Sequence, residues 1–573
     1  MLDCKIVGGT VVDGTGAPRV RQDVGIVDGR IVALGAIDGS GAINDDARET
    51  VDATGLIVAP GFVDSHTHHD AQILWDPTAS PSPFHGVTSV VGGNCGFTIA
   101  PLGPSAVGNN VVEYLLPMLS RVEGMSIDAL RAGPSWDWTS FADYLGRIEG
   151  KTAVNAGFLV GHSALRRVVM GAGAVGDAAD DQQVAAMCRL LADSIDGGGL
   201  GFSSSLAATH HDNDGNPVPS RFAQHSELLA LASVLRDKPG TFVALNPGIT
   251  PFGDDDIELV TDMALAAGRP LTWNALPIEA HRPDVIASAR HLAQYAADRG
   301  ATVVAQVIPD PRLFYLSFAN GFLLDSLPGW AKFFAIPQRD RIGALRDDDQ
   351  RARLREGAMD PPQVLRRFFG WETMTLASTT ARQHAEFVGR TLGDIARAWG
   401  RDVYDVFFDL VLAGGIDTSF TPKPSGDDDE SWRLRAEVWR EPRMLIGASD
   451  AGAHLDNASS FTYTTSLLGG AVRNRHLLSL EEAVHHITDA PARLCGISAR
   501  GRIAEGFHAD VVVFDEATIA PGPIALRGDL PGGARRLYAD AIGIHHVLVN
   551  GTEIVRDGTW TGALPGSVLR PLR

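Results

Sequence analysis

The sequence predicts an α/β fold: a (β/α)8 barrel with a small β-sandwich domain formed from both termini. Three observations predict it. Eight short apolar runs alternate with helical patterns through the middle of the chain, matching sets of β-branched runs occupy its two ends, and 573 residues are enough for a large core plus one smaller domain.

The first 55 residues carry short β-branched runs cut by Gly and Asp, at 5–7, 10–12 and 30–34, which read as hairpin strands. A second set returns at 509–515 and 545–551. Neither set can close a core alone, so residues 1–55 plus 500–573 are expected to combine into one β-sandwich. The eight barrel candidates are 56–65, 88–94, 154–161, 199–204, 242–246, 271–274, 303–307 and 445–449. Eight parallel strands close a barrel, and catalytic residues then lie just past the strands' C-terminal ends. Ser479 and Glu482, three residues apart before an apolar run, form a capping box that opens a helix. The connection from 307 to 445 exceeds one helix and two loops, so the barrel of 56–499 carries a long insertion at about 310–443, expected over the barrel mouth. Its segment 313–324 is aromatic enough to line an apolar pocket or to form an ordinary core helix.

Composition limits the partners. With 45% hydrophobic and 21% charged residues the chain is globular, and a formal charge of -20 argues against nucleic acid or an anionic membrane. Cys4, Cys95, Cys188 and Cys495 lack paired spacing, which points to a reducing compartment. The N-terminus has no signal-peptide pattern and no apolar run is long enough to span a bilayer, so a cytoplasmic location is expected.

The chemistry begins at 60–69, PGFVDSHTHH, where His66 and His68 stand at i and i+2. Residues two apart share one face of a strand, so both imidazoles reach one cation. The second run ends at GNCG (93–96), where Cys95 is either a metal-binding thiolate or a buried structural thiol. The eighth run ends at GASDAGAH (447–454), which brings the Asp450 carboxylate beside the imidazoles once the barrel closes.

These stretches, together with GHSALR (161–166) and GRIAEGFHAD (501–510), resemble the amidohydrolase superfamily, and most closely its N-acyl-D-amino-acid deacylase (D-aminoacylase) branch. The resemblance implies a distorted TIM barrel with a β-sandwich from both termini. It also implies a metal pair in His66 and His68, a bridging Cys95, and catalytic, metal-binding Asp450. His162 and Arg166 match a motif placed near the substrate, although a histidine satisfied by backbone and a surface arginine are the competing readings. The branch carries a metal-binding histidine at the end of the fifth and the sixth strand. The corresponding segments here, TFVALNPG (241–248) and PLTWNA (270–275), carry Asn246 and Asn274 instead. An amide is a poor zinc ligand beside imidazole. None of the five lysines falls at a strand end, so no carboxylated lysine replaces the bridge.

One zinc ion per chain is therefore expected, with two left open. His210 or His211, in the polar loop 208–215, is the candidate to complete a second site. Zinc would lower the pKa of a bound water toward about 7 for attack on an acyl carbonyl, and Asp450 would accept the proton and return it to the leaving amine. His162, Asn246 or Asn274 are candidates to stabilise the oxyanion, and Arg166 or Arg221 to clamp a substrate carboxylate. The expected partner is a small-molecule amide, and homo-oligomerisation stays open. Three alternatives remain: a hydantoinase-like hydrolase of cyclic amides, a lyase or isomerase using one metal, and a non-catalytic barrel that binds a ligand or serves in an assembly.

Overall fold

The computed structural model describes residues 1–36, 43, 46–104, 111–248, 250–311, 313–319, 321 and 323–571. They divide into two compact units. One comprises Met1–Asp310, Asp428–Ala453 and Ser460–Arg573, and the other Pro311–Asp427 and His454–Ser459.

In the first unit the predicted runs become eight strands, numbered here by their place in the barrel: Phe62–Asp64, Val87–Gly92, Asn155–Phe158 continued by Val160–Gly161, Gly201–Ser205, Phe242–Asn246, Leu271–Leu276, Val303–Val307 and Met444–Ile446. Each pairs in parallel with the next. The third strand breaks at Leu159, pairing with the second strand before the break and with the fourth after it. Eighth and first strands meet through the parallel bridge of Thr67 with Ala451, where the His68 N–H donates to the Ala451 carbonyl at 2.7 Å. Nearly every residue of these strands is buried, which explains why they read as continuous apolar runs rather than alternating ones. Crossover helices include Asp181–Asp196, Asp254–Ala267 and Pro283–Asp298, and the Ser479/Glu482 capping box opens the helix Leu480–Ile487.

The first run departs from expectation because it is two strands. Ile57–Pro60 pairs antiparallel with Val511–Phe514, and only Phe62–Asp64 enters the barrel. The chain changes sheets at Gly61, whose N–H donates to the Asp510 carbonyl and where a Cβ would fall 2.2 Å from the Thr88 side chain. Strands from both ends of the chain share one ten-stranded sheet, with Cys4, Ile6, Val24, Val511 and Leu548 in its core. Asp510 ties that sheet to the barrel. It pairs with Arg500, accepts from Asn155 Nδ2 on the third strand at 3.1 Å and from the Asn550 N–H at 2.9 Å.

The second unit has its own core, in which Phe318, Trp330, Phe333, Trp371, Phe407 and Phe420 pack around a three-stranded antiparallel sheet. Leu316–Ser317 is one of its strands, so the aromatic segment 313–324 is core but not helix; positions 320 and 322 lie outside the described residues. The helix Asp429–Trp439, which the sequence assigned to the insertion, belongs to the barrel unit, since the polypeptide must already be running toward the eighth strand there. Among the described residues no helix is long and apolar enough to cross a membrane.

His85 makes stability pH-dependent. It is fully buried between Thr465 Oγ1 at 2.8 Å and the Ala539 carbonyl at 3.0 Å, and burial pushes its pKa down to about 4. The unfolded chain binds a proton here near pH 6.5 and the folded chain does not until about pH 4. The contribution is thus present above pH 6.5 and lost as pH falls toward 4, on the order of a few kcal/mol. His85→Gln should be less stable than wild type at pH 7.5 yet lose less stability on acidification. Equal losses from pH 7.5 to 5 in denaturant titrations would refute this.

Candidate metal centre

Residues just past the barrel strands converge on one point, the ring nitrogens of His66 and His68 and the sulfur of Cys95 lying within 4.8 Å of one another. The Cys95 Sγ lies 3.6 Å from His66 Nε2. Asp450 joins from the eighth strand, its Oδ1 at 3.2 Å from His66 Nε2 and 3.8 Å from His68 Nε2. All but Asp450 are at most 5% exposed.

The backbone is bent to deliver these donors. Cys95 and Asp450 both adopt left-handed conformations, with φ of 55° and 54°, and Ala448 does the same at 61°. Non-glycine residues there cost free energy and persist where the surroundings over-determine them, characteristically at functional sites. Gly93, at φ 74°, makes the turn before Cys95, and a Cβ on it would fall 2.3 Å from the Leu159 carbonyl oxygen. The Gly93 N–H donates to Asp70 Oδ2 at 3.0 Å. On the other side, the Asp450 N–H donates to the His66 carbonyl at 3.2 Å, so strand closure itself sets the carboxylate beside the imidazole.

A cation fits this donor set. Two imidazole nitrogens, a sulfur and a carboxylate oxygen face one another in a buried space, and lone pairs so arranged repel unless a positive charge joins them. Burial, then the charges of Glu123 and Asp450, hold the Cys95 thiol well above its usual range, opposed by hydrogen bonds from Asn274 and Asn246. A bound divalent ion reverses that balance, because a coordinating thiol is deprotonated. Asn274 Nδ2 lies 3.6 Å from that sulfur.

The other sequence candidates lie elsewhere in the unit. His162 accepts or donates at both nitrogens, to Ser204 Oγ at 2.9 Å and Glu227 Oε1 at 2.8 Å. Arg166 gives one terminal nitrogen to both Glu227 oxygens and the other to the Asp177 carbonyl. Both side chains are wholly buried. Their polar ends meet Glu227, a residue on the helix His225–Ser233 that no local pattern linked to them. Burial lowers the His162 pKa, whereas hydrogen bonds from His162 and Arg166 outweigh burial and lower that of Glu227. Breaking a buried pair costs about 3–5 kcal/mol. Glu227→Gln should lower unfolding free energy by that order in chemical denaturation and leave KM unchanged, and a rise in KM without loss of stability would support the substrate role.

Among the described residues the mutually close donors are His66, His68 and Cys95. His210 Nδ1 meets Ser205 Oγ at 2.8 Å and its ring lies 5.1 Å from that of Phe97, while His211 turns to the Thr209 carbonyl. Arg221 Nη1 donates to the His210 carbonyl at 3.1 Å. Sequence reasoning missed Glu123, the last residue of the helix Val111–Glu123, whose Oε2 lies 3.5 Å from His68 Nε2. The available signal was an acidic residue at the end of an apolar helix just before Gly124, where a basic residue is preferred.

The amidohydrolase family model matches residues 49–330 and 420–555. N-acyl-D-glutamate deacylase of Alcaligenes xylosoxydans xylosoxydans is 32% identical over 99% of this chain and 96% of its own length. D-aminoacylase of the same organism is 29% identical over 99% and 97%. Among solved structures, N-acyl-D-glutamate deacylase from Bordetella bronchiseptica, complexed with zinc and a phosphonate mimic of the tetrahedral intermediate, is 26% identical with a TM-score of 0.64 over 99% of both chains. A D-aminoacylase with a binuclear metal centre, activated by one metal and attenuated by the second, is 25% identical with a TM-score of 0.64 over 100% of both. The family match and the full-length similarity to deacylases define a metal-dependent hydrolase acting on carbon–nitrogen bonds. The chain belongs to the amidohydrolase family.

Proposed function

We propose that this chain is a zinc-dependent deacylase of N-acyl-D-amino acids, holding one cation per chain through His66, His68 and Cys95 with Asp450 as general base and acid. The observation that carries the reading is the convergence of those three donors, with the Asp450 carboxylate 3.2 Å from His66 Nε2. Full-length similarity to deacylases of N-acyl-D-glutamate and N-acyl-D-aspartate supports the substrate class. The amides at Asn246 and Asn274 bring no charge and little zinc affinity, which favours a single ion. Free cysteines are consistent with a cytoplasmic location.

When bound, zinc supplies Lewis acidity toward the acyl carbonyl and acidifies water. Asp450 Oδ1 takes the proton of the attacking water and returns it to the leaving amine nitrogen. Its backbone, bonded to the His66 carbonyl, keeps the carboxylate on the side of the imidazoles throughout. Arg221, partly buried beside His210, is the remaining candidate of the two arginines to clamp a substrate carboxylate.

The test is amine release by zinc-loaded protein from N-acetyl-D- and N-acetyl-L-amino acids and from hydantoins, with Arg221→Ala alongside. Turnover of D substrates is expected, and loss of a charge-assisted hydrogen bond of about 1.5–3 kcal/mol should raise KM about 10- to 100-fold in the variant. Turnover of hydantoins alone would install the cyclic-amide reading. No turnover by zinc-loaded protein would favour a binding barrel, and an unchanged KM would remove Arg221.

A further inference from the structure

Glu123 sits where a carboxylate is costly. It is 3% exposed, and it ends the helix Val111–Glu123, so its charge lies at the negative end of the helix dipole as well as out of water. Both costs fall when a positive charge stands in front of the carboxylate. Its Oε2 lies 3.5 Å from Nε2 of His68, the ring nitrogen that also stands 3.8 Å from Asp450 Oδ1. The fifth and sixth strands carry the neutral amides Asn246 and Asn274, the latter 3.6 Å from the Cys95 sulfur.

We propose that Glu123 is a metal ligand, a carboxylate carried by the connection between the second and third barrel strands that completes the coordination of the ion held by His66, His68 and Cys95. The inference rests on the metal-centre reading above, but not on its substrate. A carboxylate oxygen here would supply the negative charge that the two amides do not, and carboxylate oxygen is an ordinary zinc ligand. It also accounts for a buried acid at a helix C-terminus, which local helix chemistry disfavours.

Cobalt(II) provides the probe, since its visible bands report donor identity and its sulfur charge-transfer band reports Cys95 separately. Wild type, Glu123→Gln and Glu123→His would be stripped of metal, checked for folding by circular dichroism, and titrated with cobalt. Loss of a direct ligand should weaken binding about 100-fold or more in Glu123→Gln, beyond the range typical of outer-shell partners, and alter the ligand-field bands while the sulfur band persists. Glu123→His, which restores a donor, should recover much of the affinity. Wild-type affinity and spectrum in Glu123→Gln would overturn the proposal, as would weakened binding with an unchanged spectrum and no recovery in Glu123→His, the behaviour of a residue that only orients His68. If Glu123→Gln does not fold, a Glu123→His protein whose spectrum equals that of wild type would overturn it. Wild type that takes up no cobalt would overturn this and the metal-centre reading together. Cobalt bound through Glu123 in a protein that hydrolyses no N-acyl-D-amino acid would leave this inference standing and remove the proposed substrate.

Discussion

Asp450→Asn is expected to lower kcat for N-acetyl-D-glutamate about a thousandfold while the protein keeps its zinc. The substitution preserves shape and can preserve the contact 3.2 Å from His66 Nε2, but an amide cannot accept a proton from water or carry one to the leaving nitrogen. General acid–base contributions typically span about 10²–10⁴ in rate, and a residue serving both halves of the reaction belongs toward the upper end. The left-handed backbone at Asp450 tolerates Asn nearly as well as Asp, so misfolding is not expected to confuse the result. Steady-state kinetics with metal analysis on the same preparation checks it. A fall of less than tenfold would assign proton transfer to another group, whereas loss of zinc in parallel with activity would make Asp450 chiefly a ligand.

His66→Ala is expected to reduce bound zinc from about one equivalent to a small fraction and to abolish turnover. His66 stands nearest both neighbours in the cluster, 3.6 Å from the Cys95 sulfur and 3.2 Å from Asp450, so its removal separates the donors that the barrel joins. A ligand that binds only the folded chain stabilises it by about 2.7 kcal/mol at 100 times its dissociation constant. Chelation should therefore lower the Tm of wild type and leave that of His66→Ala where it was. Elemental analysis and paired melting curves decide the matter, and a variant retaining full zinc would show that the centre lies elsewhere.

Much of the fold was legible in the residues because burial on both faces makes barrel strands continuous apolar runs, and all eight runs contain barrel strands. The split of the first run at Gly61 was not legible, since it depends on the Thr88 side chain and the Asp510 carbonyl, partners 27 and 449 positions away. The site divides in the same way. The i, i+2 spacing of His66 and His68 is local strand geometry, visible without a fold. Cys95 and Asp450 were readable as strand ends because the barrel rule names that position.

The residues that needed the fold are those whose role is set by what reaches them from afar. His162 and Arg166 read as site residues from their motif, yet Glu227, 61 residues beyond Arg166, takes their polar ends. Glu123 looked like any helix-terminal acid until the connection after the second strand brought it to His68. Asn274 read as a missing ligand, and its amide lies 3.6 Å from the Cys95 sulfur. The sequence by itself determined the strand count and the position of each candidate residue relative to its own strand, because those follow from local periodicity. Which charges stand against which was decided only by the tertiary structure, because Coulomb energy and hydrogen bonding depend on distances through space that chain closure alone sets.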